Sequence, residues 1–513
     1  MTIKNALLSV SDKTDLTLLA QGLVSRGIQL FASGGTAQAL RDANIHVQSI
    51  SALTNAPEML GGRVKTLHPG VHGGILADRR NAEHLADLVA NNIQTLDLVV
   101  CNLYPFEETR KTTNDRATLI EKIDIGGPTM VRAAAKNCEG GVTVVVDPAD
   151  YTEVLNAMAE EGSVNIALRR KLAAKAFKRI AAYDIAIADW ICNLDDDAVQ
   201  GFPVHLDTAE RSEILRYGEN PEQRAFVYRA SNEGGVANGA VLQGKAVSYN
   251  NYLDLDAAQR CATAFDAPAC AVIKHTNPCG LAQAETLPEA FARALESDPV
   301  SAFGGILGFN REVDANTAEA IRVSKLFVEC IVAPGFSDEA RALFAPRENL
   351  RLMQAIAPQP NSDFHGHRIG GGWLVQTRDN GPQSTEHWKT VTEAQLQPGF
   401  ADELLFAMRA AWLLKSNAIA IARHGQLLGT GMGQTNRVDA AKQAIERAGD
   451  KARGAFLASD AFFPFADCVA LARDAGILAI VQPGGSKRDQ ESIDVCNAAG
   501  IAMVFTGQRH FRH

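Results

Sequence analysis

The sequence predicts an α/β protein of two parts, an N-terminal domain on a doubly wound parallel sheet and a larger α/β region of two subdomains. Three observations predict it. Short apolar runs alternate with helix-spaced segments along nearly the whole chain, the pattern of strands joined by crossover helices. Many of these runs end in glycine-rich or polar turns, where open α/β sheets hold their ligands. An acidic stretch punctuated by Gly-Phe-Pro, NLDDDAVQGFPVH (193–205), interrupts the alternation and sets a boundary near residue 198. The domains are therefore expected at 1–198 and 199–513.

In chain order, ALLSV (6–10), IQLFAS (28–33) and LDLVVCNLY (96–104) read as buried strands. Between them TDLTLLAQGLVSRG and GTAQALRDAN have helical spacing, with Gly27 and Asn44 as stops. VTVVVD (142–147) adds a strand, and residues from Pro148 to about Asn193 read as mainly helical. Beyond the boundary, ACAVIKH, GGILGF, FVECIVAP, AIAIARHG, LAIVQPGG and IAMVFTG read as strands entering loops, with 345–400 as a seam between subdomains. There is no solenoid repeat and no low-complexity tract.

Composition narrows the function. With 513 residues, 46% hydrophobic and 21% charged, the chain is globular and too long for one ordinary core. A net charge of −9 excludes a general nucleic-acid binder but not a local site for a small anion. Nine cysteines without a C-x-x-C pair argue against a disulfide framework and a zinc ribbon. No signal peptide is evident, and no stretch reaches the ~20 apolar residues of a membrane span, so a cytoplasmic protein is expected.

The first domain carries a set of anion-binding turns. GGRVKTLHPGVHGG (61–74) puts five glycines beside Arg63, Lys65 and Thr66, a composition poor for helix or long strand. SVSDKT (9–14) offers Ser11, Lys13 and Thr14 after the first strand. ASGGT (32–36) offers Ser33, Gly34, Gly35 and Thr36 at a helix start, where backbone N–H groups and the dipole favour an anion. Together they read as a phosphomonoester site. Tyr104 in CNLYPF, with Asp124 and Lys136 in IDIGGPTMVRAAAKN (123–137) and with Lys65, are candidates for proton transfer and oxyanion stabilisation.

These motifs, in this order, resemble the IMP cyclohydrolase domain of the bifunctional AICAR transformylase/IMP cyclohydrolase family. The resemblance continues through LRYGENPEQ (215–223), SYNNYLD (248–254), IKHTNPCG (273–280), DPVSAFGG (298–305), KSNAIAIA (415–422), GQTNR (433–437), SDAFFPFAD (459–467), QPGGS (482–486) and the terminal RHFRH (509–513). It implies a methylglyoxal-synthase-like first domain and a cytidine-deaminase-like second region of two subdomains. It also implies the last two steps of IMP synthesis: formyl transfer from 10-formyltetrahydrofolate, as cosubstrate, to AICAR, then cyclodehydration of formyl-AICAR. The amine of AICAR is a poor nucleophile, because its lone pair is delocalised into the ring and carboxamide. Attack therefore needs a proton removed, and folate N10 needs one supplied. His275 can assist deprotonation, while Lys274 can stabilise the oxyanion or protonate N10; sequence leaves the division open. By the same resemblance, Arg216 and Arg509 bind the AICAR phosphate with Tyr217 alongside. Asn417 joins the catalytic set. Asn251, Phe303, Gly304, Glu329, Arg437, Phe462, Asp467 and His513 match positions that contact nucleotide or folate. The family implies a homodimer, with no metal required for chemistry.

Some positions depart from the family pattern. Glu222 stands where many relatives carry His, Ala466 where Arg is common, and Glu329 where some have Asp. GAVLQGKA (239–246) ends in Ala246 instead of Ser or Thr and is rejected as a P-loop; GTGMG (429–433) lacks dinucleotide-binding spacing. Two rival functions are weighed. A zinc deaminase needs H-x-E and P-C-x-x-C, and neither occurs here. A non-catalytic nucleotide-binding regulator is opposed by the joint presence of Lys65, Tyr104, Asp124, Lys136, Lys274 and His275.

Overall fold

The computed structural model describes residues 2–56, 60, 63–194, 209–230, 234–358 and 364–513. The chain divides into two compact units, residues 1–206 and 207–513. The expected boundary near residue 198, and Gly61 and Gly62 of the glycine-rich stretch, lie outside the described residues.

The first unit is built on five parallel strands: β1 (Asn5–Val10), β2 (Gln29–Ala32), β3 (Gln48–Ser49), β4 (Leu98–Asn102) and β5 (Thr143–Val145). Their order is β3-β2-β1-β4-β5, so the direction of winding reverses between β1 and β4. Alternate residues of each strand feed the two faces. Leu8, Val10, Leu98 and Val100 pack under the helices Leu16–Val24, Gly34–Asp42 and Tyr151–Glu161. Leu7, Val99 and Cys101 pack under Pro69–Leu76, Gly126–Lys136 and Ile166–Cys192. Burial on both faces is why these strands read as unbroken apolar runs.

One reading is corrected here. The second half of GGRVKTLHPGVHGG is a helix, Pro69–Leu76, in spite of its three glycines. His68 caps it, accepting the Gly70 N–H at Nδ1 (3.0 Å). Gly70 and Gly74 lie against the carbonyls of Leu53 and Gln94, where an added Cβ would approach to 2.4 and 2.3 Å. Close backbone packing outweighs the low helix propensity of glycine.

The second unit opens with a two-stranded sheet, β6 (Glu210–Leu215) and β7 (Ala225–Arg229), followed by β8 (Ala240–Gln243). The remaining strands are β9 (Ala269–Lys274), β10 (Asn277–Gln283), β11 (Gly305–Phe309), β12 (Val328–Ala333), β13 (Arg351–Gln354), the hairpin β14 (Phe364–Ile369) with β15 (Gly372–Thr377), β16 (Lys389–Thr390), β17 (Ile419–Arg423), β18 (Gln426–Gly431), β19 (Phe456–Ser459), β20 (Ala479–Gln482) and β21 (Ala502–Phe505). Twelve of them form one mixed sheet, ordered β16-β21-β20-β19-β17-β18-β10-β9-β11-β12-β13-β8. Read outward from its centre, the order is the same in both directions: β10, β9, β11, β12, β13, β8 mirror β18, β17, β19, β20, β21, β16. Pair orientations match as well, with antiparallel hairpins and outer edges around parallel middles. The unit is thus a duplicated half-fold joined at β10–β18. The helices Tyr249–Thr263 and Phe400–Leu413 are equivalent across it and share one core, with Phe265 stacked on Phe406 at 5.0 Å. The expected seam at 345–400 contains the end of one half, β13, the β14–β15 hairpin, and the start of the other, β16.

Candidate functional site

At the carboxyl end of the first sheet, where the winding reverses, lies a cavity of about 620 Å³. It is lined by Ser11, Lys13, Ser33, Gly34, Gly35, Thr36, Arg63, Lys65, Thr66, Tyr104 and Asp124. Each turn reaches it for a local reason. Asn102, the last residue of β4, accepts the N–H groups of Ser11 (2.5 Å) and Asp12 (2.8 Å) and donates to the Asp12 carbonyl, fixing the loop after β1. The helix Gly34–Asp42 begins with no side-chain cap, because the Ser33 hydroxyl is shared with Ser9 (3.2 Å). Its first N–H groups therefore face the cavity as donors for an anion. Lys65 Nζ stands over this terminus, 3.5 Å from where a Gly34 Cβ would lie. Arg63 is exposed and paired with Glu121.

Charge is tuned by burial. Desolvation holds the Lys13 ammonium below the ordinary lysine range, and its Nζ donates to the Val10 carbonyl. Desolvation also pushes the Asp124 carboxyl above the usual carboxylate range, against the N–H groups of Gly127 and Tyr104 that it accepts. Tyr183 fixes the Asp124 backbone by accepting its N–H at 2.9 Å. Tyr104 is half exposed at the mouth.

Three candidates are placed differently from the rest: Thr14 and Lys136 lie off this cavity, and Thr36 lines it with its hydroxyl already engaged. Thr14 is absent from the cavity wall; its hydroxyl and N–H are both taken by Asp12 (2.7 and 2.9 Å). Thr36 is buried and its hydroxyl clamps both the N–H and the carbonyl of Val10 (3.0 Å each). Lys136 lies at the far end of the helix Gly126–Lys136, about 15 Å from its start at 1.5 Å per residue. It lines a separate cavity with His72, Arg132 and Phe177. A twelve-residue spacing along a helix separates two groups; it does not gather them. Asn102 is a functional residue that sequence reasoning missed, although it stands inside the quoted CNLYPF.

In the second unit, Lys274 and His275 occupy the β9–β10 hairpin. Lys274 pairs with Asn277, so His275 and Thr276 alone form the turn, with φ of 52° and 64°. Positive φ at both central positions is a type I′ turn, which suits the right-handed twist of a hairpin. Lys274 Nζ donates to the Phe303 carbonyl at 2.7 Å, and Asn277 donates to the His275 carbonyl at 2.8 Å. Gly304, with φ of 71°, lets the chain turn there, and the exposed Phe303 ring lies 5.3 Å from Phe327. Asn251 is buried, caps its helix with Ser248 and donates to Glu329 at 3.1 Å. These residues form one group, carried by the first half of the duplicated fold.

The second half carries the others. Asn417 donates to the Gln434 carbonyl (2.9 Å) and accepts from Arg437 (2.7 Å). Arg437 is buried and also bonds Ser459 and the fully buried Asp460, so it supports Asn417 from beneath. The C-terminal tail is docked: His510 N–H donates to the Asp460 carbonyl (2.9 Å) and Arg512 exchanges bonds with Ser416. Arg509 lies over Phe511 at 4.7 Å, with His513 edge-on to the same ring. Arg216 follows β6 and lies over Tyr217 at 5.5 Å. Phe462 follows β19 and is partly exposed, and Asp467 begins the helix Asp467–Asp474. Among the described residues, no group of three or more His, Cys, Asp and Glu side chains is placed to hold a metal ion. Among them too, no helix is long and apolar enough to cross a membrane.

One unit thus carries a cavity at the switch point of a parallel sheet, and the other a Lys-His hairpin turn on a duplicated α/β fold, the frame of an α/β enzyme. Residues 15–129 match the family of MGS-like domains, and residues 134–447 match the AICARFT/IMPCHase bienzyme. The bifunctional purine biosynthesis protein PurH of Ruminiclostridium cellulolyticum is 47% identical and that of Acetivibrio thermocellus 48%, each match spanning 100% of both chains. The PurH of Rhizobium meliloti is 49% identical over 100% of this chain and 97% of its own. The chain belongs to the AICARFT/IMPCHase bienzyme family. It is a bifunctional enzyme of the last two steps of IMP synthesis, formyl transfer to AICAR and closure of formyl-AICAR.

Proposed function

We propose that the cavity of the first unit is the ring-closing site and the Lys274–His275 turn the formyl-transfer site. What carries the first assignment is the convergence of three strand-end turns on an uncapped helix terminus beside a desolvated carboxyl. In this reading Ser11, Lys13, Arg63, Thr66 and the Gly34 and Gly35 N–H groups take the nucleotide phosphate. Thr36 serves by holding the helix to β1. The carboxamide nitrogen of formyl-AICAR attacks the formyl carbon, and loss of water completes the ring. Tyr104 and Asp124 pass protons to and from these groups, and Lys65 holds the charge developing on oxygen. A carboxyl raised by burial holds a proton more readily than an ordinary aspartate, which suits a group that passes protons. Lys136 has no step within a single subunit.

At the second site, the amine of AICAR attacks the formyl carbon of 10-formyltetrahydrofolate, and tetrahydrofolate leaves with a proton on N10. His275 assists loss of the amine proton; Lys274 stabilises the oxyanion or protonates N10. Asn417, held by Arg437, orients the nucleotide, while Arg216, Tyr217 and Arg509 take its phosphate. Asn251, Phe303, Gly304, Glu329, Phe462, Asp467 and His513 complete the nucleotide and folate contacts. The enzyme acts as a cytoplasmic homodimer and needs no metal.

The test is to supply AICAR and 10-formyltetrahydrofolate and follow tetrahydrofolate and IMP together. Both appearing in step supports both assignments. In the Asp124→Asn variant, formyl-AICAR should accumulate while tetrahydrofolate release continues; undiminished IMP would sink the first assignment.

A further inference from the structure

The Lys-His turn is strained in one particular way. His275 and Thr276 both hold left-handed backbone, and Thr276 is β-branched, the poorest kind of residue for that conformation. Directly behind the turn stands Asp254, on the helix Tyr249–Thr263. Its Oδ1 accepts the Thr276 N–H at 2.5 Å, and its carboxylate lies close enough to His275 to feel the charge of the imidazole. Half-buried, it also faces Glu329 across from β12, which adds to the cost of keeping its charge there.

The duplicated half-fold supplies a control. In the β17–β18 hairpin, the equivalent turn is His424-Gly425, with φ of 54° and 65°. Glu403 on the equivalent helix approaches it in the same manner, but its bond to the Gly425 N–H is long, 3.4 Å, and His424 Nδ1 lies 3.6 Å away. Glycine adopts positive φ without strain, so that turn needs little from its carboxylate. Where threonine replaces glycine, the carboxylate bond shortens.

We infer that Asp254 is the positioning residue of His275: by accepting the Thr276 N–H of the turn, it holds the imidazole in its reactive place against the strain at Thr276. The inference rests on the reading of His275 as the group that assists deprotonation of AICAR. A displaced imidazole misaligns proton transfer and leaves the phosphate contacts in place, so the loss should fall on kcat.

The experiment compares full-length Asp254→Ala, Thr276→Gly, the double variant and His275→Ala, measuring kcat and the KM for AICAR in formyl transfer, with thermal unfolding of each. Asp254→Ala should lower kcat about tenfold or more with KM within about threefold, and Thr276→Gly in that background should restore most of the loss by relieving the strain. If Asp254→Ala does not fold, Asp254→Leu, which keeps the volume and removes both acceptor oxygens, is read in its place with the same rescue. A kcat within about twofold of the parent, or a loss that Thr276→Gly leaves untouched, overturns the inference. His275→Ala separates the two failures. If it is fully active, the reading of His275 falls and the inference with it; if it is inactive while Asp254→Ala is active, the inference alone falls.

Discussion

The two central hairpins of the second unit, Lys274–Asn277 and Arg423–Gln426, have the same frame and different side chains. In both, a cation at the strand end binds a carbonyl of the facing loop: Lys274 to Phe303 at 2.7 Å, Arg423 to Arg453 at 2.9 Å. In both, a left-handed glycine follows that carbonyl, Gly304 or Gly454. In both, a helix carboxylate meets the turn. The frame therefore belongs to the half-fold, and does not by itself mark a catalytic turn. What separates them is the side-chain chemistry. Lysine can give up a proton when its surroundings demand it, and arginine cannot. The carbonyl of each turn histidine is held alike, that of His424 by Arg293 at 2.7 Å and that of His275 by Asn277 at 2.8 Å.

The comparison can be broken in several ways. The largest effect is expected beneath the second half, where Arg437→Ala would leave Asp460 buried without its cation. Loss of one partner of a buried pair costs about 3–5 kcal/mol, which urea unfolding would register, and Asn417 would lose its hold as well. Converting the working hairpin into its mate with Lys274→Arg keeps the contact to the Phe303 carbonyl but removes the transferable proton. Formyl transfer should then fall about a hundredfold, while ring closure of supplied formyl-AICAR continues. An unchanged rate would show that Lys274 acts only as a charge.

A pH effect of moderate size is expected at the docked tail. Burial alone would raise the Asp379 carboxyl, but hydrogen bonds from His510 and the Gly381 N–H outweigh it and hold the group below its ordinary 3.8. A depressed carboxylate stabilises the folded form above its unfolded pKa and loses that contribution as pH falls through the lower, folded value. Tail protection, read by hydrogen exchange at His510–Arg512, should hold through neutrality and be lost only below the ordinary aspartate range. In His510→Ala it should be lost at every pH. The smallest effect is predicted for Arg423→Lys at the strand end and His424→Ala in the turn, both expected within about twofold of the parent rate, since neither is assigned a part in the reaction.

Much of the cavity wall was legible because a site for an anion is built largely from backbone. A turn after a strand, small residues at a helix start and nearby cations are local features, and SVSDKT, ASGGT and GGRVKT each show them without reference to the rest of the chain. The failures came where a partner lies far away in sequence. Thr36 resembles a ligand donor until Val10 takes both sides of its hydroxyl. Glycine in HPGVHGG argues against a helix until the Leu53 and Gln94 carbonyls explain it. Asp254 stood in SYNNYLD as one more polar residue on a helix, twenty-two positions from the turn it supports.

By itself, then, the sequence showed the family and the long apolar strands such as β1, β4, β9 and β17, because apolar periodicity and short glycine-rich turns are properties of neighbouring residues; short or polar strands such as β3, β6 and β16 carried no such signal. Only the tertiary structure decided that the second unit is a half-fold used twice, that Lys136 faces a different cavity from Asp124, and that one turn is strained where its twin is relaxed. Those facts depend on which groups meet across the fold, and a hydrogen bond or a steric clash is set by distance in space, not by distance along the chain.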